Sequence, residues 1–519
     1  MASSEVNNLN LRPRPASKGG EARSTLVGRP PIVVVMGHVD HGKTTLLDYI
    51  RKISFKARAT SPSAGEPRSV AEREAGGITQ SIGAYEIEHS GRKITFIDTP
   101  GHEAFSAMRS RGAHLADLAI LVVAGDEGVK PQTKESVKIL EETKTPFVVA
   151  ITKADKQNAD IEKVKNELAA AGVLLEGYGG QVSYQSISSK TGEHVNELLD
   201  LILLTADLEN LAYDPLAPAS GYVLETRVDR QRGLEATLVL KNGTLREGDF
   251  IVTGSAVGRV KILENFLEDA VAELLPSSPA LVIGFEKLPA VGEEFVSGAD
   301  PKALMQEVAL VSPLVKVAKM AAAAAGEKVG ALNVVLKSAD TGSLEVLSQI
   351  MQGIAATKPL KIVGASVGEV NDNDVKLAIS AGAVVIAFKS KTDKAAKALA
   401  DANRAVIISS DVVYDLTRAI ELFLAEREKP AGTGTLEVLA VFNQAKPERQ
   451  VVGGKVVAGV FRNKAAFDIE REGSMVGSGR ILNLQEQKKD THEVREGSEA
   501  GLLANSTTLI KVGDKLAIQ

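Results

Sequence analysis

Neither cysteine nor tryptophan occurs among the 519 residues, so disulfides, thiol catalysis and thiolate metal centres are excluded from the outset. Aromatic residues of all kinds make up only 4% of the chain, which argues against recognition by broad stacking platforms. Long apolar runs are missing as well. Stretches such as Ile32 to Met36 and Ala119 to Ala124 fall far short of the roughly 20 residues a membrane helix needs, and the first residues carry no signal-peptide pattern. There is no excess of positive charge either: at a net charge of -5, contacts to nucleic acid must come from local basic patches and not from the overall field. A reducing, cytoplasmic setting without a membrane partner is the expectation. What is present, 44% hydrophobic and 24% charged residues, is the composition of a globular protein. At about 150 residues per domain, the length suggests three or four domains.

Residues 1–29 are polar, rich in Ser, Arg, Gly and Pro, and are expected as a disordered, mildly basic tail, with folded structure from Pro30 onward. Over 30–212, short β-branched runs (Ile32 to Met36, Ile94 to Ile97, Leu118 to Val123, Phe147 to Ile151) alternate with helix-like segments, the pattern of a parallel sheet wrapped by helices. From 213 to 300 the chain reads as short strands and turns, with Lys241 to Thr244 as the clearest hairpin, which predicts a small β-barrel. Residues 301–428 comprise a linking helix that ends in an Ala run and a second α/β layer, closed by a helix running into Lys429-Pro430-Ala431-Gly432. The last segment, 429–519, returns to strands with Gly-rich turns, hence a second barrel. The expected fold class is therefore a multidomain α/β protein: a P-loop domain, a β-barrel, an α/β/α domain and a C-terminal β-barrel.

The strongest local signal is Gly37-His38-Val39-Asp40-His41-Gly42-Lys43-Thr44, followed by Thr45. It fits G-x-x-x-x-G-K-[ST] between a buried strand and an apolar helix. Its glycines allow successive backbone N–H groups to face phosphates, and the helix N-terminus adds a favourable potential for an anion. Lys43 is assigned to the β- and γ-phosphate oxygens and the Thr44 hydroxyl to Mg²⁺. Asp98-Thr99-Pro100-Gly101 follows a strand, where open α/β sheets place their ligands. Asp98 would reach the Mg²⁺ shell through water, and the Gly101 N–H would sense the γ-phosphate. Between these motifs, Ala57 to Ala75 has few apolar residues and closes in Gly76-Gly77-Ile78-Thr79, a segment expected to order over the γ-phosphate with Thr79 on Mg²⁺. Thr152-Lys153-Ala154-Asp155 supplies a carboxylate able to accept from the guanine N1–H and 2-amino group, a pair adenine does not offer. The Lys153 stem would lie along the base, and Ser188-Ser189-Lys190 would give a backbone N–H to O6. His102 is the candidate for orienting the attacking water. His38, Asp40 and His41 sit within a P-loop and face different directions, so they are not read as a metal cluster.

The run GHVDHGKT, EAGGITQ, DTPGHEAFSAMRSRGA and TKAD resembles the translational GTPases, and Glu103 to Ala113 is similar specifically to the bacterial initiation factor two family. Asn242 to Asp249, Leu336 to Glu345 and Gly497 to Leu502 are similar to later domains of that family, so the resemblance covers about residues 30–519. It implies a GTP-bound factor that holds formylmethionyl initiator tRNA on the small ribosomal subunit and promotes joining of the large one. Contact with the sarcin-ricin loop of ribosomal RNA would trigger hydrolysis, after which the factor leaves, acting as a monomer. It also implies an apolar gate of Val39 and Ile78 around His102, a monovalent cation beside Asp40, and an aminoacyl-end pocket in the last barrel at Lys455, Glu499, Ala500 and Gly501. Two departures are visible. Thr152 stands where the family usually has Asn, and Ala500 and Lys455 stand where it usually has Cys. A GTP-dependent RNA-binding scaffold and a GTPase that delivers tRNA during elongation are the alternatives, the second disfavoured by the α/β layer at 330–427.

Overall fold

The computed structural model describes residues 26–58, 82–301, 304, 331–428, 434–443, 449–471 and 474–518. They fall into two compact units, Met1–Leu416 and Thr417–Gln519. In the first, the β-branched runs form β1 (Ile32–Gly37), β2 (Gly83–His89), β3 (Arg92–Asp98), β4 (Leu118–Ala124), β5 (Phe147–Thr152) and β6 (Tyr184–Ser186). Their order in the six-stranded sheet is β2-β3-β1-β4-β5-β6, and only β2 pairs antiparallel. Strands β1 and β4 are buried along their whole length, which is why they read as unbroken apolar runs. Helices α1 (Lys43–Arg58), α2 (Ser106–Leu115), α3 (Pro131–Thr143), α4 (Ile161–Ala170) and α5 (Val195–Leu208) connect or flank the strands. The stripe Val195, Leu198, Leu199, Ile202 of α5 has the spacing of one helical face and packs into the sheet core. The parallel strands therefore all end at one edge.

The next stretch closes into an antiparallel barrel from β7 (Ser220–Asp229), β8 (Gly233–Asn242), β9 (Phe250–Thr253), β10 (Val257–Glu264), β11 (Pro279–Phe285) and β12 (Glu294–Gly298). The turn expected to be its hairpin is not one. Asn242 leaves β8 to accept from the Asp214 N–H at 2.8 Å, and after Gly243, at φ 70°, Leu245–Arg246 pairs with Glu273–Leu274. The true hairpin joins β7 to β8, where the Asp229 carboxylate accepts from the N–H groups of Gln231 and Arg232 at 2.8 and 2.9 Å, an Asx-type turn.

A four-stranded parallel sheet follows, β13 (Leu332–Ser338), β14 (Leu360–Val367), β15 (Ala383–Phe388) and β16 (Ile407–Ser410) in the order β14-β13-β15-β16. It alternates with α6 (Thr341–Thr357), α7 (Asp372–Ala381), α8 (Lys394–Asn403) and α9 (Val413–Glu428). The linking helix expected at 301–325 lies almost wholly outside the described residues. In the second unit, β17 (Gly434–Asn443), β18 (Gln450–Arg462), β19 (Ala466–Arg471), β20 (Ser474–Glu486), β21 (Glu499–Ser506) and β22 (Lys515–Ile518) pair in the circuit β17-β22-β19-β20-β21-β18 and back to β17. This is the second barrel. Gly453 and Gly454, in a segment expected to hold Gly-rich turns, lie inside β18. A side chain at Gly454 would collide with the Glu437 carbonyl and Leu436, so the glycine is there for close strand approach and not for a reversal.

Two junctions organise the first unit. Residues 26–29 were assigned to the tail, yet Val27–Gly28 pairs with Ala212–Tyr213, and Arg29 donates to both oxygens of Asp117 at 2.6 and 2.7 Å. Lys241 of the barrel donates to the same carboxylate at 2.6 Å. Burial alone would raise the Asp117 carboxyl, but Arg29 and Lys241 hold it below the usual range. Ser277 of the barrel donates to the Pro30 carbonyl at 2.6 Å and accepts at its own carbonyl from Thr95 at 2.6 Å. The second junction carries the third domain: Glu225 of β7 accepts from the Gly342 N–H at 3.1 Å, Thr226 bonds Thr341 at 2.6 Å, and Arg111 of α2 pairs with Glu345 of α6 at 2.8 Å. Burial, reinforced by the neighbouring Asp340, pushes the Glu225 carboxyl well up.

Candidate active site

Four loops meet at the edge where the parallel strands end. The first runs from Gly37 to Lys43 between β1 and α1. Gly37 is at φ 144°, where a side chain would strike the Val122 carbonyl of β4, and Gly42 is at φ 85°; Asp40, at φ 62°, takes the left-handed conformation that Asp tolerates. The loop is thus set by backbone geometry. Lys43, 6% exposed, donates to the carbonyls of Gly37 and His38 at 3.0 and 2.6 Å. Burial pulls its ammonium below the ordinary lysine range, with the Asp98 carboxylate opposing. Anionic phosphate oxygens would reverse that depression and replace the two carbonyls as acceptors.

The second loop, Asp98 to Phe105, follows β3. Asp98 is aligned with Val35 of β1, and Thr99 donates to the Val35 carbonyl at 2.8 Å. A side chain at Gly101 would lie 2.5 Å from the Lys43 ammonium and 3.1 Å from the Val39 nitrogen, so only glycine lets this loop press on the P-loop. His102 is half-buried. Its Nδ1 accepts from the Ala104 N–H at 3.0 Å, capping a short 3₁₀ turn at Glu103–Phe105. Nδ1 being an acceptor, the proton of the neutral ring sits on Nε2. Burial lowers the imidazole pKa, Glu103 opposing and Arg109 adding to the shift, so the neutral ring is favoured at pH 7.

Motif reading missed what holds this loop. Arg109 of α2 is fully buried and donates to the carbonyls of Pro100 and His102 at 3.1 and 2.5 Å. Its other arm forks onto Glu135 of α3 at 2.7 Å to each carboxylate oxygen. Glu135 also accepts from Ser106 at 2.5 Å. The sequence hint is slight, because the helix SAMRSRGAHL holds two arginines, Arg109 and Arg111, of which only Arg109 is buried.

The third and fourth loops follow β5 and β6. Thr152, 1% exposed, donates to the His41 carbonyl at 2.6 Å. The hydroxyl therefore ties the base loop to the P-loop at the position where Thr departs from the family pattern. Thr152→Val should leave that buried carbonyl unsatisfied and lower unfolding stability by about 1–3 kcal/mol. Thr152→Ser should retain most of it, as urea denaturation would read. Lys153 is held in place by Glu127 at 3.1 Å and Asp126 at 3.4 Å. Asp155, exposed at the rim, accepts from Ser188 at 2.7 Å, which lowers its pKa and keeps it a carboxylate. Ser188 and Ser189 are buried and Lys190 is exposed. His41 is fully buried, accepts from the Ala124 N–H at 3.3 Å, and is pushed down to about 4 by burial and by His38, so its ring is neutral at pH 7.

Thr79 and Ile78 lie outside the described residues, so the structure gives no position for them. Among the described residues no group of three or more His, Cys, Asp or Glu could hold a metal ion. Thr44 and the buried Asp98 instead offer one hydroxyl and one carboxylate. Such a hard-oxygen set fits Mg²⁺ whose remaining ligands are nucleotide phosphates and water.

The expected pocket of the last barrel is only partly assembled. Lys455 is aligned with Glu499, and Gly453 with Gly501, on neighbouring strands; Lys455 and Glu499 are exposed. Ala500, 4% exposed, faces the barrel core with Val438 and Leu502, because alternate strand residues point to opposite faces. Glu437, aligned with Lys455 from β17, and the 72% exposed Phe442, whose ring lies 3.0 Å from where a Gly453 side chain would be, complete that surface and were not foreseen.

A phosphate loop, a switch loop containing Gly101-His102 and a base loop, all following parallel strands of one mixed sheet and succeeded by a barrel, define a GTPase of the translational class. The Elongation factor Tu GTP binding domain model matches residues 29–207, the Elongation factor G domain 2 model 218–298 and the Translation-initiation factor 2 model 312–421. Translation initiation factor IF-2 of Rubrobacter xylanophilus is 38% identical over 97% of this chain and 73% of its own length. That of Aquifex aeolicus is 39% identical over 94% of this chain and 60% of its own, and the chloroplastic IF-2 of Euglena gracilis 38% over 96% and 61%. The chain thus spans about three-fifths to three-quarters of the relatives it matches. GDP-bound aIF5B from Aeropyrum pernix is a solved structure it is similar to, at 26% identity and TM-score 0.49 over 95% of this chain and 92% of that one. The chain belongs to the translation initiation factor IF-2 family, and it is a translation initiation GTPase. No described helix is long and apolar enough to cross a membrane.

Proposed function

We propose that the protein holds formylmethionyl initiator tRNA on the small ribosomal subunit, promotes joining of the large subunit, and leaves the ribosome after GTP hydrolysis triggered by ribosomal RNA. It would work as a monomer in the cytoplasm. The observation that carries this reading is the convergence of the Gly37, Asp98, Thr152 and Ser188 loops on one sheet edge of an IF-2 family chain.

In this reading Asp155 accepts from the guanine N1–H and 2-amino group, the Lys153 stem lies under the base, and the loop of Ser188, Ser189 and Lys190 meets O6. Gly37, His38, Val39, Asp40, His41 and Gly42 turn their backbone toward the phosphates, Lys43 neutralises the β- and γ-oxygens, and Thr44 and Thr45 open the helix beneath them. Thr44, Thr79 and Asp98, the last through water, would hold Mg²⁺, which supplies charge neutralisation at the β- and γ-phosphates. Gly101 reports the γ-phosphate through its N–H. His102 turns from its cap toward the nucleotide and orients the attacking water, through an apolar gate of Val39 and Ile78. Asp40 is the candidate partner of a monovalent cation. Lys455, Glu499 and Gly501, with Ala500 beneath them, would receive the aminoacyl end of the tRNA.

The test is His102→Ala. The variant should bind GTP within about twofold of wild type and lose about 10²- to 10⁴-fold of ribosome-stimulated turnover. Undiminished stimulated turnover would refute the role of His102.

A further inference from the structure

Resting on the reading of His102 as the residue that orients the attacking water, we propose that Tyr414 is a positioning residue of the third domain that holds the His102 ring in its capping orientation, away from the nucleotide. Tyr414 is the second residue of α9. Its ring meets the His102 ring edge-on, centroids 4.4 Å apart at 83°, closer than the 6.1 Å of Phe105. The imidazole therefore contacts the Tyr414 ring while its Nδ1 takes the Ala104 N–H.

The phenol belongs to a different domain from the loop it restrains. Burial raises its hydroxyl pKa, and the carboxylates of Glu103 and Asp40 raise it further. The domain that carries Tyr414 is fastened to the same region: Arg111 pairs with Glu345, and a side chain at Gly342 would meet the Met108 methyl. For His102 to swing toward the nucleotide it must abandon both its cap and this ring contact. Withdrawal of α9 from the second loop would free it. Tyr414 thus makes turnover conditional on where the third domain stands, a role no motif in the nucleotide-binding domain can play. An edge-on aromatic pair of this kind is worth about 0.5–1.5 kcal/mol beyond its buried area, so its loss is worth about two- to tenfold in the population of the released ring.

Tyr414 is half exposed at 52%, so its replacement need not disturb the core. The experiment measures single-turnover GTP hydrolysis by the full chain, with and without ribosomes, for wild type, Y414A, Y414F, H102A and the H102A/Y414A double variant. Y414A should hydrolyse GTP about two- to tenfold faster without ribosomes at an unchanged GTP dissociation constant. Y414F, which keeps the ring, should stay at the wild-type rate, and the gain should vanish in the double variant. Ribosome-free turnover in Y414A at or below wild type, with H102A still abolishing stimulation, would overturn the restraint and leave the role of His102 standing. A gain that survives in H102A/Y414A would also overturn it, because the effect would not pass through the histidine. If H102A retained full stimulation, the underlying reading of His102 would fail instead.

Discussion

Replacing Asp155 by Asn is expected to exchange the base this protein prefers. As a carboxylate, lowered in pKa by the Ser188 hydroxyl that donates to it at 2.7 Å, Asp155 presents only acceptors, which match the N1–H and 2-amino group of guanine. An amide puts a donor where one acceptor was, which matches the 2-oxo group of xanthine and opposes the guanine amine. Hydrogen bonds to a charged group are worth about 1.5–3 kcal/mol each, so losing the one from the 2-amino group predicts a fall in GTP affinity of about 10- to 10²-fold. Xanthosine triphosphate should gain correspondingly. Calorimetric titration of both nucleotides with Mg²⁺ measures this directly, and an unchanged ratio would remove Asp155 from base selection.

The second large effect belongs to a residue with no motif. Arg109→Met should destabilise the protein by about 1.5–3 kcal/mol, the cost of losing hydrogen bonds from a charged donor and leaving two loop carbonyls without it, since Glu135, 30% exposed, can be rehydrated. The guanidinium is fully buried and makes four hydrogen bonds, two to the loop carbonyls of Pro100 and His102 and two to Glu135. Arg109→Lys should recover little, since an ammonium cannot span both loop carbonyls and a forked carboxylate at once. Guanidinium or urea denaturation checks the stability loss. In the fraction that remains folded, GTP turnover should fall as well, because Gly101 and His102 lose the anchor that fixes their backbone.

The parts of this molecule that were legible in the sequence are those fixed by local backbone rules. The Gly37-to-Thr44 loop needs glycines at φ 144° and 85°, and only such spacing between an apolar strand and a helix satisfies it. The switch and base loops were legible for a related reason: each directly follows a β-branched strand, and parallel strands deliver their ends to one edge. Contacts between distant segments left no comparable trace. Arg109 finds Glu135 across two helices, Asp117 finds Arg29 and Lys241 across two domains, and Tyr414 meets His102 from a third. Glycines outside a motif were ambiguous. Asn242-Gly243 looked like a hairpin and redirects the chain, and Gly454, in a segment expected to hold Gly-rich turns, allows two strands to touch, because a missing side chain serves reversal and close approach equally well. Thr152 shows the opposite case, a departure from pattern whose compensation, a hydroxyl on the His41 carbonyl, becomes visible only in three dimensions.

The barrel and the third domain grip the nucleotide-binding domain in unlike places, and that difference assigns them unlike tasks. The barrel is riveted through Asp117, Pro30 and Thr95 and meets α2 further along, where Tyr222 lies edge-on to His114 at 5.9 Å and Gly292 sits beside Arg111. The third domain leans on Met108 and Arg111 and also on His102, within the Asp98 to Phe105 loop itself. A shift of that loop would reach the barrel through α2 and the third domain directly. The third domain would ride it as a follower rides a cam, and the chain beyond Ser410 leaves from the follower.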